Sequence, residues 1–345
     1  MENNDDDNGN DNEDVHKEVV NHHMHGQHTH IPKKTHIKHI VMSGGGICGF
    51  AFYGALRESE KAGFWNIDDI ESIYGTSIGS FIAVLISLKK QFDWETLDDF
   101  LIKRPWNELF KLNVETMFNA LTKNGILEKS VIVSTFEPLF NAVDIDINIT
   151  MLDFYKYTGI DLHIIVSKIT NFLVPSKCEF ILENMNHITH GHWKVIDAVY
   201  CSACLPIMFQ PFLYDNAYYI DGGLLCNYPL SLCEANEDEI FGLCCDNDDK
   251  TIEIEGVVDY ILLLLTAMWH KITMKASPIK NQICMKTPTI NFKDIIETTQ
   301  IREIRMARIN EGGEQWRGFY KKLCEEDAEK MVGNGCVGGD VSQEV

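Results

Sequence analysis

The chain has 345 residues, of which 45% are hydrophobic, enough to bury a substantial core in one large domain or two small ones. Its formal net charge of −21 argues against a nucleic-acid binder, which needs clustered Lys and Arg, and it opposes adsorption to anionic bilayers. The longest apolar run, Tyr260 to Trp269, falls far short of the roughly twenty residues of a membrane span, so no transmembrane segment is expected.

Residues 1–36 open with an acidic head (Asp5, Asp6, Asp7, Asp11, Glu13, Asp14) and continue with His22, His23, His25, His28, His30 and His36 among polar residues. So little apolar surface cannot offset the entropy of ordering, and the segment reads as a disordered tail. Flexible histidine runs bind transition metals loosely and without a fixed shell, so no metal site is expected. A basic start and an apolar core, the marks of a signal peptide, are both missing, so the eleven cysteines are expected as reduced thiols in a cytoplasmic protein.

The first strand, Ile40 to Met42, runs into Ser43-Gly44-Gly45-Gly46-Ile47-Cys48-Gly49 and then into a helix ending at Lys61-Ala62-Gly63. Consecutive glycines let backbone amides turn inward, and such a nest can bind a phosphate or stabilise an oxyanion. A P-loop lysine and the acidic residue of a dinucleotide fingerprint are both absent, which favours the oxyanion. The next strand, Ile70 to Tyr74, leads into Gly75-Thr76-Ser77-Ile78-Gly79. The helix that follows, Ile78 to Leu88, carries its stripe on Ile78, Phe81, Ile82, Leu85 and Ile86. A serine on a sharp strand-to-helix turn, with small residues two places either side, is the geometry of an exposed nucleophile. Ser77 is therefore the candidate nucleophile, with the Ile78 amide at the helix start as an assisting oxyanion donor.

Trp94 to Phe118 has aromatic and aliphatic residues at helical spacing broken by Pro105, as a cap over a cleft would. Asp161 to Ser167 reads as a strand and Asn186 to Trp193, with His187, His190 and His192, as a polar connection. Cys201 and Cys204 read as small buried residues, since no second pair has ligand spacing. Tyr218 to Gly223 is a short strand ending in Asp221-Gly222-Gly223, which supplies a candidate base. Glu239 to Cys245 reads as the last strand. Tyr260 to Trp269 reads first as a core helix and otherwise as an interfacial one, with Trp269, Lys271 and Lys275 at headgroup level. Ile301 to Leu323 is a charged helical region and Gly333 to Val345 a frayed end. Strands alternating with helices predict an α/β fold with a central, mostly parallel sheet.

Four segments in this order resemble the patatin-like phospholipase family: Gly44 to Gly49 for its glycine loop, Gly75 to Gly79 for its G-x-S-x-G elbow, Ala198 to Pro211 for its Ala-Ser-x-Ala-x-Pro stretch, and Asp221 to Gly223 for its Asp-Gly-Gly motif. The resemblance covers about residues 38–250. It implies a patatin-like three-layer fold, a Ser77–Asp221 dyad, oxyanion donors at Gly45 and Gly46, and supporting roles for Gly44, Gly49, Gly75, Gly79, Gly222 and Gly223. No cofactor or metal is required. The expected substrate is a lipid or phospholipid ester at a membrane or micelle surface, where the chain would be peripheral. Cys48 stands where the family has a basic residue, which weakens phospholipid more than acyl hydrolysis in general and keeps open a neutral-lipid or small-ester hydrolase, or a silent lipid-binding homologue. The expected organisation is a tail over 1–36, a catalytic domain over 37–275, and a mainly helical C-terminal extension over 276–345.

Overall fold

The computed structural model describes residues 36–111, 116, 122–247, 254, 256–272, 277–287 and 291–334. The acidic, histidine-rich segment apart from His36, most of the expected cap beyond Lys111, the side chains of Trp269 and Lys271, Lys275, and residues 335–345 lie outside the described residues.

In chain order the main elements are β1 (His39–Met42), α1 (Gly49–Lys61), β2 (Ser72–Thr76), α2 (Ile78–Ser87), α3 (Trp94–Lys103), α4 (Trp106–Leu109), β3 (Gly125–Leu127), α5 (Lys129–Ala142), α6 (Met151–Thr158), β4 (Asp161–Thr170) and β5 (Glu179–Met185). There follow α7 (Val195–Ser202), β6 (Ile207–Phe209), β7 (Phe212–Tyr214), β8 (Ala217–Asp221), α8 (Gly223–Cys226), β9 (Ile240–Asn247), α9 (Val257–Ile272), β10 (Gln282–Thr287), α10 (Phe292–Gln300) and α11 (Arg302–Asn334). Local chemistry sets many boundaries. The side chains of Asp93, Thr150 and Asn291 each accept a backbone N–H in the first turn of the helix they precede. α1 ends in a Schellman turn at Gly63 (φ 75°), whose N–H donates to Glu60 O while Phe64 N–H donates to Ser59 O.

Eight strands form a mixed sheet in the order β10-β9-β1-β2-β4-β8-β7, with β5 also paired to β4. The pairings β10–β9, β9–β1, β1–β2 and β2–β4 are parallel, and β5, β8 and β7 complete an antiparallel flank. Alternation along the central strands sends side chains to two separate cores. Ile40, Met42 and Ile73 join the large cluster under α1 and α2, whereas Val41 and Tyr74 join a smaller one with Leu230, Cys233 and Ile279 on the other face. Helices thus flank a mostly parallel sheet, the α/β three-layer arrangement anticipated above. Among the described residues no helix is long and apolar enough to cross a membrane.

Beyond residue 276 the helices α10 and α11 are accompanied by a strand. β10 is a strand of the central sheet, so β9 is not the last one. Cys284 of β10 lies opposite Cys244 of β9, with 4.6 Å between their Cα atoms, and the two form a disulfide where only reduced thiols were expected. Opposed positions on paired strands bring the two side chains within bonding reach. α11 lies directly on α1. The buried residues Arg305, Ile309, Gly312, Gly313, Trp316 and Leu323 follow one helical stripe, and Trp316 and Tyr320 pack edge-on against Phe64.

The two backbones approach so closely at Gly54 and Gly312 that a Cβ on Gly54 would collide with the Ile309 carbonyl, and one on Gly312 with the Ala51 carbonyl. In an isolated helix Gly→Ala stabilises by roughly 0.5–1 kcal/mol. Here overpacking reverses the sign: Gly54→Ala and Gly312→Ala are each expected to destabilise by about 1–3 kcal/mol, read from urea unfolding midpoints.

Candidate active site

The sequence places a serine between the end of β2 and the start of α2, and the backbone there is strained. Ser77 has φ 53° and ψ −121°, a conformation that costs a side-chain-bearing residue on the order of 1–3 kcal/mol. The flanking glycines permit the turn by close approach. A Cβ on Gly79 would lie 2.7 Å from both the Met42 and the Ser43 carbonyl oxygens, and one on Gly75 would strike the Gly79 backbone. Hydrogen bonds hold the strained residue at both its N–H and its carbonyl. The Ser77 N–H donates to Ser202 Oγ (2.9 Å), Ser202 Oγ donates to Ile165 O (2.6 Å), and Ser80 Oγ donates to Ser77 O (2.6 Å). Thr76 Oγ1 donates to Cys226 O (3.0 Å), tying the end of β2 to α8.

Asp221 ends β8, two strands away from β2 with β4 between them. Ser77 Oγ donates to Asp221 Oδ2 at 2.6 Å, and the other carboxylate oxygen accepts the Gly223 N–H at 2.8 Å. The Asp221 N–H donates to Cys204 O and the Gly222 N–H to Ser202 O, so the Ala198–Pro211 segment supports both Ser77 and Asp221. The carboxyl is only 2% exposed. Burial pushes its pKa up to about 6, against the opposing pull of the bonds from Ser77 and Gly223.

The glycine loop closes the third side. Gly44 N–H donates to Asn227 O, and Gly46 adopts φ 52°. The amides of Gly45, Gly46, Ile78 and Gly79 have no hydrogen-bond acceptor among the described residues. Gly45, Gly46, Ser77, Ile78 and Asp221 line one cavity of about 230 Å³, and Gly49 lines it too. The remaining motif glycines act through contact: a Cβ on Gly44 would lie 3.2 Å from Ser77 Cβ, and one on Gly222 would strike the Ile165 carbonyl. The cavity walls are Phe50, Phe81, Trp106, Leu205, Met208, Leu262, Leu265 and similar groups, and Asp221 is the sole charged residue among the described lining.

Two supporting residues escaped the motif reading. Ser202 had a signal, since it lies inside the Ala198–Pro211 stretch. Asn227, whose side chain fills the space a Cβ on Gly44 or Gly223 would need, had none. Two histidines of the Asn186–Trp193 connection bond elsewhere: His187 Nδ1 meets Asp161 Oδ1 (2.7 Å), whose other oxygen meets His163 Nε2 of β4 (3.1 Å), and His190 Nδ1 meets Thr189 Oγ1 (2.9 Å). Cys201 and Cys204 are both buried. Among the described residues no group of three or more His, Cys, Asp or Glu side chains is placed to hold a metal ion.

An α/β sandwich built round a strand–serine–helix elbow, with the serine bonded to a buried aspartate, defines the class. A family model described as "Patatin-like phospholipase" matches residues 40–233, more than half of the chain. The chain belongs to the patatin-like phospholipase family.

Among curated relatives, "Probable lipid hydrolase 463L" of Invertebrate iridescent virus 6 is 26% identical over 202 residues, covering 58% of this chain and 64% of that protein. The chain thus spans a little under two thirds of that relative's length. An uncharacterized protein of Acanthamoeba polyphaga mimivirus is 26% identical over 273 residues, covering 74% of this chain and 82% of that one. Among solved structures, VipD from Legionella pneumophila aligns with a TM-score of 0.46 at 16% identity, over 84% of this chain and 67% of that chain.

The raised pKa of Asp221 has a definite sign for stability. The folded state holds the proton more tightly than the unfolded chain, so this carboxyl's contribution is complete below about pH 3.8 and is lost as pH rises through about 6. Asn mimics the neutral acid. Asp221→Asn is therefore expected to be the more stable protein above pH 6, by about 3 kcal/mol, with the difference shrinking to nothing near pH 4. Unfolding midpoints measured from pH 4 to 8 read this.

Proposed function

We propose that the chain is a lipid acyl hydrolase of the phospholipase A type, working through a Ser77–Asp221 dyad without a metal or organic cofactor. The observation that carries the reading is the 2.6 Å bond from Ser77 Oγ to the buried carboxylate of Asp221, inside an apolar cavity. The name of the iridescent-virus relative and the family description point the same way.

In the first step Ser77 Oγ attacks the ester carbonyl carbon while its proton passes to Asp221 Oδ2. The carbonyl π electrons move onto oxygen, and the unengaged amides of Gly45 and Gly46, with that of Ile78, receive the oxyanion. One such donor is typically worth about 2.7–4 kcal/mol. Collapse of the tetrahedral adduct breaks the bond to the alcohol oxygen, which leaves with the proton from Asp221. Water, deprotonated by the same carboxylate, then attacks the acyl-serine, and collapse breaks the bond to Ser77 Oγ, which takes the proton back from Asp221 as the fatty acid leaves. A carboxylate with a pKa near 4 would be a weak base for serine, and the burial that raises it to about 6 strengthens it.

A second reading is favoured by one feature. Cys48 is buried at the place of the family's basic residue, and the described cavity lining holds no cation to meet a phosphate. A neutral-lipid or small-ester substrate fits that lining better than a charged headgroup does. The substrate would reach the cavity from a membrane or micelle surface.

Ser77→Ala and Asp221→Asn are each expected to lower ester turnover by about 10⁴-fold or more and to abolish labelling by a fluorophosphonate probe. Wild-type kcat/KM should fall on the acid side with a midpoint near pH 6, where Asp221 takes up its proton. A folded wild type that takes no probe and turns over neither phospholipid, triglyceride nor short-chain ester would instead make the chain a silent lipid-binding homologue. Relative turnover of phospholipid and triglyceride separates the two substrate readings.

A further inference from the structure

Helix α9 has two apolar faces. One is turned inward: Leu262, Leu265 and Thr266 line the catalytic cavity, and Val258 is buried beside them. Val257, Tyr260, Leu264 and Met268, at spacings of three and four, form the other stripe, and they are 70%, 55%, 47% and 41% exposed. Over residues 257–268 the sole charged side chain is Asp259, and it accepts the Phe292 N–H at the start of α10. A helix on the surface of a soluble protein normally turns charge to the solvent, and one that is apolar all round is normally covered on every side.

We propose that this outward stripe of α9 is the face by which the protein seats on an uncharged or zwitterionic lipid surface, so that the cavity wall itself lies at the lipid boundary. The proposal rests on the lipid-ester reading of the cavity. Continuity is its first support, because one helix supplies both the cavity wall and the exposed stripe, and an acyl chain leaving the lipid phase would pass from one apolar face to the other. Position is its second. α9 follows the carboxyl end of β9, and the β4–β5 hairpin, whose tip exposes Phe172, Leu173 and Val174, projects from the same end of the sheet as Ser77. Charge selects the occupant. A net charge of −21 repels a second copy of the chain and repels anionic lipid, whereas a zwitterionic surface imposes no such repulsion.

The test uses the full chain, vesicles of phosphatidylcholine, and a double variant, Leu264→Glu with Met268→Glu, at positions outside the cavity lining. Wild type is expected to float with the vesicles. The double variant should lose that partition by roughly tenfold or more, with an unchanged Tm and unchanged turnover of a soluble short-chain ester. Equal partition of both proteins, or no partition of the wild type, would overturn the docking face. So would a wild-type dimer that the substitutions split, which would assign the stripe to a second copy. Failure of the catalytic reading is separate: no ester would be turned over, while vesicle binding would still depend on Leu264 and Met268.

Discussion

The hydrogen bond between Ser77 and Asp221 joins residues 144 apart in sequence, and most of the carboxyl end of the sheet is arranged to make it possible. Neither partner can be moved alone. Ser77 is fixed by a backbone conformation that its side chain disfavours, and Asp221 by burial that disfavours its charge. β4 lies between the two strands and couples them, because Ile165 pairs with Thr76 and Val166 with Asp221. Ser202 sits across that strand, donating to Ile165 and accepting from Ser77, so the separation of the pair is set by sheet register rather than by any loop.

How much of this was legible in the sequence follows from the range of the interactions involved. The serine elbow, the glycine loop and the aspartate turn are local patterns, each needing small residues within a few positions, and the chain order of the four motifs supplied the fold. The helix α2 was equally plain because its stripe is made of Ile, Phe and Leu. α11 was not. Its buried stripe contains Arg305, Gly312 and Gly313, so a hydropathy pattern sees charge and glycine where the structure has a helix crossing. β10 was hidden for a related reason: a short edge strand draws its identity from a partner some forty residues away, and its cysteine pair became visible only with the register. Asn227 was invisible altogether, since what matters about it is the volume it fills beside Gly44 and Gly223.

Burial performs two opposed tasks at Asp221. It makes the carboxylate a stronger base, which the proposed dyad without histidine would require, and it makes the ionised protein less stable, which folding must absorb elsewhere. The compensation is visible nearby. The Gly223 amide and the Ser77 hydroxyl both donate to the carboxylate, each pulling the pKa back down, so the value near 6 is a balance between desolvation and two hydrogen bonds. A further donor would stabilise the charge and weaken the base, whereas removal of the Gly223 bond would act in the reverse direction.

The family match ends at residue 233, yet the cavity does not. Leu262, Leu265 and Thr266 of α9 and Ile295, Thr298 and Thr299 of α10 form part of its wall. α10 is held in turn by α11, because Arg305 donates to the Thr298 and Thr299 carbonyls and to Ile102 O at the end of α3. That guanidinium satisfies carbonyls which the last turn of a helix leaves without partners, and it does so from the helix whose glycines rest on α1. Part of the cavity wall therefore comes from beyond the family match, and the share that α10 supplies is tied to α3 through one buried arginine. Divergence after residue 233 can reshape the share of the cavity wall that α9 and α10 supply while the elbow and its aspartate stay as they are.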